Sequence, residues 1–447
     1  MSVVAASLAV AAVVAQQPQP PQSGQVAVTI SGEAGSPPRL AVPDFIALSS
    51  EPDTQAIAKT LGQVLWDDFD YEQEFVMVPR DTYASVPAAK SFESVPLDRW
   101  RELGVEGLVV GTIRRSGTSL TVQVRLFDVK SGQSVFAKEY AGSATNPRLY
   151  AHTAADEIHL QQRGLRGVAR TKLAFSSDRD GERATGPFAE RNVKEIYISD
   201  YDGEGQRRVT VNRALSITPA WSPDGRALAY TSYTKGFPDI AVSFIYQGTK
   251  ATPAGGTETV KNYLPAWSPD GTRIAFMSSR DGNAEIYVVN ADGSSLRRLT
   301  NHPAQDVTPT WSPAGNQIAF TSDRSGSPQI YVMDADGLNL RRLTNEAYAD
   351  RPTWAPAPFN EVAFAARTGT YYDIKVMDLA SGSTRQITFG EGGGSNESPA
   401  YAPNGRHIAF MSTRGGRSQV FSIGRDGKHV RQITKQGNNF TPAWSVQ

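Results

Sequence analysis

Few residues in this 447-residue chain have the type and spacing that catalysis needs. Cysteine is absent, which excludes disulfides, thiolate nucleophiles and cysteine zinc sites. Of five histidines, His152 and His159 sit seven apart on a stretch patterned as a helix, with no third ligand near in sequence. The tetrads starting at Asp200, Asn290 and Asp334 resemble the opening of a calcium loop. Each lacks the glutamate that would complete a twelve-residue site, and a turn at a strand end accounts for them. The adjacent carboxylates Asp67 and Asp68 read as a solvated helix face, and no G-x-S-x-G elbow occurs. The inventory favours a binding protein without metal or cofactor over an enzyme.

Polar residues do recur at one fixed place. A proline–small–aromatic–small signature is centred on Trp221, Trp267, Trp311, Trp354, Tyr401 and Trp444, in steps of 43 to 47 residues. Three residues before each proline stand Ser216, Asn262, Asp306, Ala349, Asn396 and Asn439. Equivalent loops of a repeat share one face, so these residues form a candidate ring of donors and acceptors for a partner's backbone. The plainer alternative is that Asn and Asp favour turns.

The elements that must position such a ring follow from the period. A repeat in the low forties marks a β-propeller blade of four short strands. In Pro265–Thr300, Ser268-Pro269-Asp270-Gly271 and Asn290-Ala291-Asp292-Gly293 are turns, Ile274–Met277 and Ile286–Val289 are apolar strands, and Leu296–Thr300 is a more polar outer strand. The copy after Trp221 departs: Asp239–Tyr246 replaces the usual third strand and Thr252–Thr257 offers no outer-strand motif, so a locally irregular blade is expected. The phase carries more. Lys172–Thr210 has the second, third and outer strands without a first, and Pro442–Ser445 has a first strand alone. The two pieces complete one blade, giving six blades closed by the C-terminal strand, because an open edge is an aggregation template.

The residues before the repeats read differently. Residues 1–15 are an apolar, alanine-rich run, too short to span a bilayer and suited to an export signal, although no basic residue opens it. Residues 16–25 are a Gln/Pro-rich spacer. Residues 26–165 mix strand and helix patterns as a small α/β domain, with helices expected over Asp53–Phe69, Leu97–Leu103 and Pro147–Leu160. The 45 basic and 45 acidic residues balance, so nothing supports nucleic-acid binding through a basic face. No other stretch suits a membrane helix, which implies a soluble mature chain.

An α/β domain carrying LGVEGLVVGTIRR, LTVQVRLFDVKSG and YAHTAADEI, followed by PAWSPDG…IAF…IYV…DG…LT repeats, resembles the TolB family of the Tol–Pal envelope system. The resemblance implies a periplasmic, monomeric, multi-domain scaffold, not an enzyme: an α/β N-terminal domain and an all-β six-bladed propeller at 172–447. It further implies that one propeller face binds the lipoprotein Pal, that an N-terminal segment binds TolA, and that other outer-membrane proteins are further candidate partners. Maintenance of the outer membrane and support of division follow from the same resemblance. By position it places Pal contacts in the stretches of Lys261, Leu264 and Val307, although side chains there differ from the family pattern; Asn262, Tyr263, Asp306, Asn396 and Asn439 complete the candidate set at the propeller mouth. It places the TolA segment at Val26, Val28 and Ile30; the alternating run Val26–Ile30 would serve either strand addition to a partner or an internal first strand. The rival reading is an exported propeller hydrolase or lyase using channel residues, for which five histidines are a poor supply.

Overall fold

The computed structural model of the chain describes residues 29–30, 36–184, 191–390 and 393–446. The run read as an export signal, the spacer, Val26 and Val28 lie outside the described residues. In the N-terminal domain β1 (Arg39–Ala41), β2 (Ile46–Ala47), α1 (Pro52–Glu72), β3 (Val76–Met77), α2 (Leu97–Glu102), β4 (Gly107–Ser116), β5 (Ser119–Asp128), β6 (Ser134–Ser143) and α3 (Arg148–Arg163) follow in order. The sheet runs β3-β1-β4-β5-β6, with β2 beside β4. Its first pairings are parallel and its last two antiparallel. Proline in the first turn starts α1, and Gln73, left-handed at φ 59°, stops it. Its apolar stripe, Leu61, Val64, Leu65 and Phe69, packs with α3 residues Ala151, Ala154 and Ile158 on one side of the sheet.

Beyond the linker the chain forms six four-stranded antiparallel sheets among the described residues. Their inner strands are Ser216–Trp221, Asn262–Trp267, Asp306–Trp311, Ala349–Trp354, Asn396–Tyr401 and Asn439–Trp444, here blades 1 to 6. Blade 2 continues with Arg273–Ser278, Glu285–Asn290 and the two-residue Arg297–Arg298. Each second strand carries Ala-aromatic pairs such as Ala275-Phe276 that are fully buried, because both faces of a blade are covered by its neighbours. Blade 6 joins both ends of the domain: Asn439–Trp444 pairs antiparallel with Lys172–Ser177, followed by Glu195–Asp200 and Arg207–Arg208. Trp444 donates its indole N–H to Thr171 Oγ1 at 2.7 Å, and Ser445 Oγ accepts the Lys172 N–H at 2.8 Å.

Blade 1 corrects the expectation of irregularity. Asp239–Phe244 is a full third strand, and Thr249–Ala251 is an outer strand in register with it, Val242 opposite Ala251. The turn Ile245–Gly248 returns the chain at once, so pairing needs no Arg-Arg motif. Gly203, by contrast, is tightly required: its φ is +91°, and a Cβ there would lie 2.2 Å from the Ile433 carbonyl oxygen of the neighbouring blade. Gly203→Ala is expected to cost about 2 kcal/mol or more, read as a lowered melting temperature.

Candidate protein-binding face

Every inner strand runs from one face of the propeller to the other, and the N-terminal domain covers the face where these strands end. The contact is built from the C-terminal turns of α1 and one side of α3. Asp68 is 2% exposed and accepts from His152 Nδ1 at 2.9 Å and from Tyr201 Oη at 2.8 Å. This corrects the reading of Asp67-Asp68 as a solvated face: the propeller turn at Tyr201 covers it. Arg148 pairs with Asp202 and lies 3.8 Å from Asp200. Glu72 accepts the Val168 N–H at 2.7 Å and Arg406 Nη2 at 2.6 Å, with His407 Nε2 at 3.4 Å. Tyr71 stacks on His407 with ring centroids 4.4 Å apart.

Electrostatics at this junction are strongly perturbed. Burial works against the Glu72 carboxylate, yet His407 and Arg406 overcome it and hold its pKa down to about 2. Burial lowers His159 to about 4, and neither ring nitrogen has a partner. Burial also opposes a charge on His152, but the Asp68 carboxylate prevails and raises its pKa.

The opposite face is left open. Each inner strand there carries a bulge, and its third residue is left-handed: Thr218, Leu264, Thr308, Arg351, Ser398 and Thr441, with φ between 45° and 59°. Three of the six are threonines, for which this conformation is strained, and hydrogen bonds between blades hold it. The Leu264 N–H donates to Thr231 Oγ1 at 3.1 Å and the Arg351 N–H to Thr321 Oγ1 at 3.2 Å. These residues and the prolines after them line an axial cavity of about 130 Å³. Around it the rings of Tyr233 and Tyr263 meet edge-on at 6.3 Å, and those of Tyr348 and Tyr372 at 5.2 Å. Lys194 Nζ lies 3.6 Å from the Phe440 ring centroid. Burial raises the Glu397 carboxyl, with Arg351 pulling the other way, and pushes the Tyr348 phenol up to about 12.

Among the residues read from sequence, Lys261 is exposed and Tyr263, Leu264 and Val307 are half-buried around this mouth. The ring of Asx residues is placed differently. Asn262, Asp306 and Asn439 are 0% exposed and Asn396 is 1% exposed. Asn262 donates to Asp239 Oδ1 of blade 1 at 2.9 Å, Asn396 to Asp373 of blade 4 at 2.9 Å, and Asn439 to Gln419 of blade 5 at 2.9 Å. Asp306 is bidentate to Arg324 at 2.7 and 2.9 Å. As a surface for a partner's backbone the ring is therefore corrected: three of its members clamp blade to blade and Asp306 is locked onto its own blade. Sequence reasoning passed over Tyr233, Tyr348, Tyr372 and Phe440. The position after each Asx held the signal, since Tyr263, Val307 and Phe440 share it. Ile30, 5% exposed, is anchored inward by its N–H to Gln162 Oε1 at 2.9 Å and is not in a strand.

A family model described as TolB beta propeller domain matches residues 161–447, and one described as TolB amino-terminal domain matches residues 26–135. The "Tol-Pal system protein TolB" of Desulfosudis oleivorans is 33% identical over 267 residues, 58% of this chain and 57% of that protein. That of Geobacter sulfurreducens is 36% identical over 177 residues, 39% and 38% of the two chains. The chain thus matches little more than half the length of the first of these relatives and less of the second. The crystal structure of TolB from Acinetobacter baumannii covers 92% of this chain and 97% of its own, with 25% identity and a TM-score of 0.76. Closure in blade 6, an α/β domain seated on one face and both family matches agree, and the chain belongs to the TolB family.

Proposed function

We propose that this chain is a periplasmic protein-binding scaffold of the Tol–Pal system that holds Pal on its open propeller face. Aromatic pairs ringing a rigid mouth, on the face opposite the N-terminal domain, are the observation that carries this reading. Tyrosines supply large contact area at small entropic cost, as at other hot spots. Lys261, Tyr263, Leu264 and Val307 contribute directly; Asn262, Asp306, Asn396 and Asn439 act by holding the blades that present them. TolA is bound through Val26, Val28 and Ile30. Because α3 holds Ile30 through Gln162 and meets the propeller through His152, release of the segment is coupled to the junction. The scaffold thereby maintains the outer membrane and supports constriction at division. No helix among the described residues is long and apolar enough to cross a membrane.

Calorimetric titration with the soluble domain of Pal from the same organism tests this. One-to-one binding is expected, burying roughly 1,200–2,000 Å². Tyr263→Ala combined with Tyr348→Ala should weaken it by about tenfold or more while the chain still melts cooperatively, a few degrees lower. A complex indifferent to both substitutions would place Pal elsewhere, and absence of binding would remove the assignment.

A further inference from the structure

Between neighbouring blades, the turn after a third strand ordinarily seals the seam. Gly293 lies against the Pro253 carbonyl, Gly337 against Leu299, Gly427 against Ile387 and Gly203 against Ile433. In blades 2 and 4 the first arginine of the outer strand is also capped by the next blade's turn: Arg297 donates to the Ala335 carbonyl at 3.0 Å and Arg385 to that of Arg425 at 3.1 Å. Blades 1 and 4 depart from this arrangement: nothing lies within 4 Å of where a Cβ on Gly248 or on Gly382 would stand, and in blade 1 the turn is Ile245–Gly248. A cleft of about 580 Å³ remains at the seam between blades 6 and 1, on the face that carries the N-terminal domain but away from the channel mouth. That volume is ordinary for a small-ligand or short-peptide site.

The cleft has a definite chemistry. Arg207 occupies the register of Arg297 and Arg385, Ile198 opposite it as Val288 and Val376 are opposite those. Its guanidinium is exposed, as is that of Arg226 on the facing blade, whose charge is attracted to the Asp224 carboxylate. The acids present are already matched: Asp200 is paired with Lys172, and Asp224 accepts from Ser222 at 2.6 Å and from the Arg226 N–H at 3.0 Å. Trp221 and Phe244 line the wall, and Tyr246 is 78% exposed at its lip. The indole N–H of Trp221 is shielded from water and unbonded, as are those of Trp267 and Trp354, but Trp221 is the one that lines this cleft.

We propose that this seam is a second binding site, taking a short peptide segment of a partner protein in which a carboxylate side chain neighbours an aromatic or aliphatic one. The fork of a guanidinium matches a carboxylate's geometry, both arginines line the cleft, and the aromatic wall takes the apolar neighbour. The chain's own spacer, residues 16–25, carries no carboxylate and does not fit. The proposal is independent of the Pal reading, since it concerns the opposite face.

The full chain titrated with the N-acetylated, C-amidated tetrapeptide Glu-Phe-Asp-Leu tests it, by calorimetry and by the indole N–H resonances, with Trp221→Phe identifying the relevant one. Saturation below about 1 mM is expected, with the Trp221 resonance shifting. Arg207→Ala with Arg226→Ala should weaken binding at least about tenfold, with the melting curve unchanged because both side chains are exposed. The Gln/Asn version of the peptide should bind no better than that variant. Failure to saturate, binding indifferent to the arginines, or equal binding of the neutral peptide would each overturn the proposal.

Discussion

Deletion of residues 439–447 is expected to abolish cooperative folding of the propeller. Those residues supply the inner strand of blade 6, where Asn439 pairs with Ser177 and Trp444 with Leu173. Trp444 is 8% exposed, and losing a buried tryptophan alone costs about 3–5 kcal/mol. That is already a large part of the 5–15 kcal/mol by which a typical domain is stable. The deletion also removes the bond to Thr171, uncovers Lys172–Ser177 as a bare edge and opens the ring to aggregation. Far-UV circular dichroism of the truncated chain should lose the sigmoidal transition of the propeller. A transition within a few degrees of the full chain would refute closure as a source of stability.

Glu72→Ala is expected to uncouple the two domains. Removing one partner of a buried ion pair costs about 3–5 kcal/mol, here because Arg406 and His407 lose the carboxylate they face. Denaturant unfolding should change from one transition to two, with new cleavage by protease in residues 164–171. The pH dependence has a defined sign. Glu72, held at about 2 against an ordinary 4.5, contributes stability above the ordinary value and loses it as pH falls toward 2. The difference is on the order of 3 kcal/mol. His159, lowered from 6.5 to about 4, acts in the same sense between those values, since unfolding frees it to take a proton. His152, raised by Asp68, contributes below its ordinary 6.5 and loses that contribution as pH climbs through the raised value. The junction is therefore strongest near neutrality. In Glu72→Gln the acid slope between 4.5 and 2 should lose the Glu72 contribution while the His159 slope persists; an unchanged slope would show that Glu72 is not held as described.

Architecture was legible in the sequence because a tryptophan period and its phase are one-dimensional quantities. Blade count and closure by Pro442–Ser445 follow from them directly. Burial is not one-dimensional. Asn262 and Asn439 begin strands, and a strand-starting Asx looks the same whether its amide meets solvent or the next blade. Asp68 lies on the apolar stripe of α1, four residues after Val64 and three after Leu65, so its position pointed inward where its carboxylate was read as wet. Val26 and Val28 are outside the described residues, and only Ile30 speaks for that segment. The outer strand of blade 1 escaped notice because its pairing relies on a tight turn and backbone register, and it lacks the arginine that each of the other outer strands carries.

The six left-handed residue–proline steps of the inner strands have a further consequence. A propeller sets six strand edges around a common hole, and such edges would ordinarily recruit any extended chain, including one another. At each of the six, the bulge bends the strand out of ladder geometry and proline removes the very donor a new strand would need. The hole therefore cannot be zipped shut or templated along its length. Whatever enters it is held by side chains and water and leaves without unpicking a sheet.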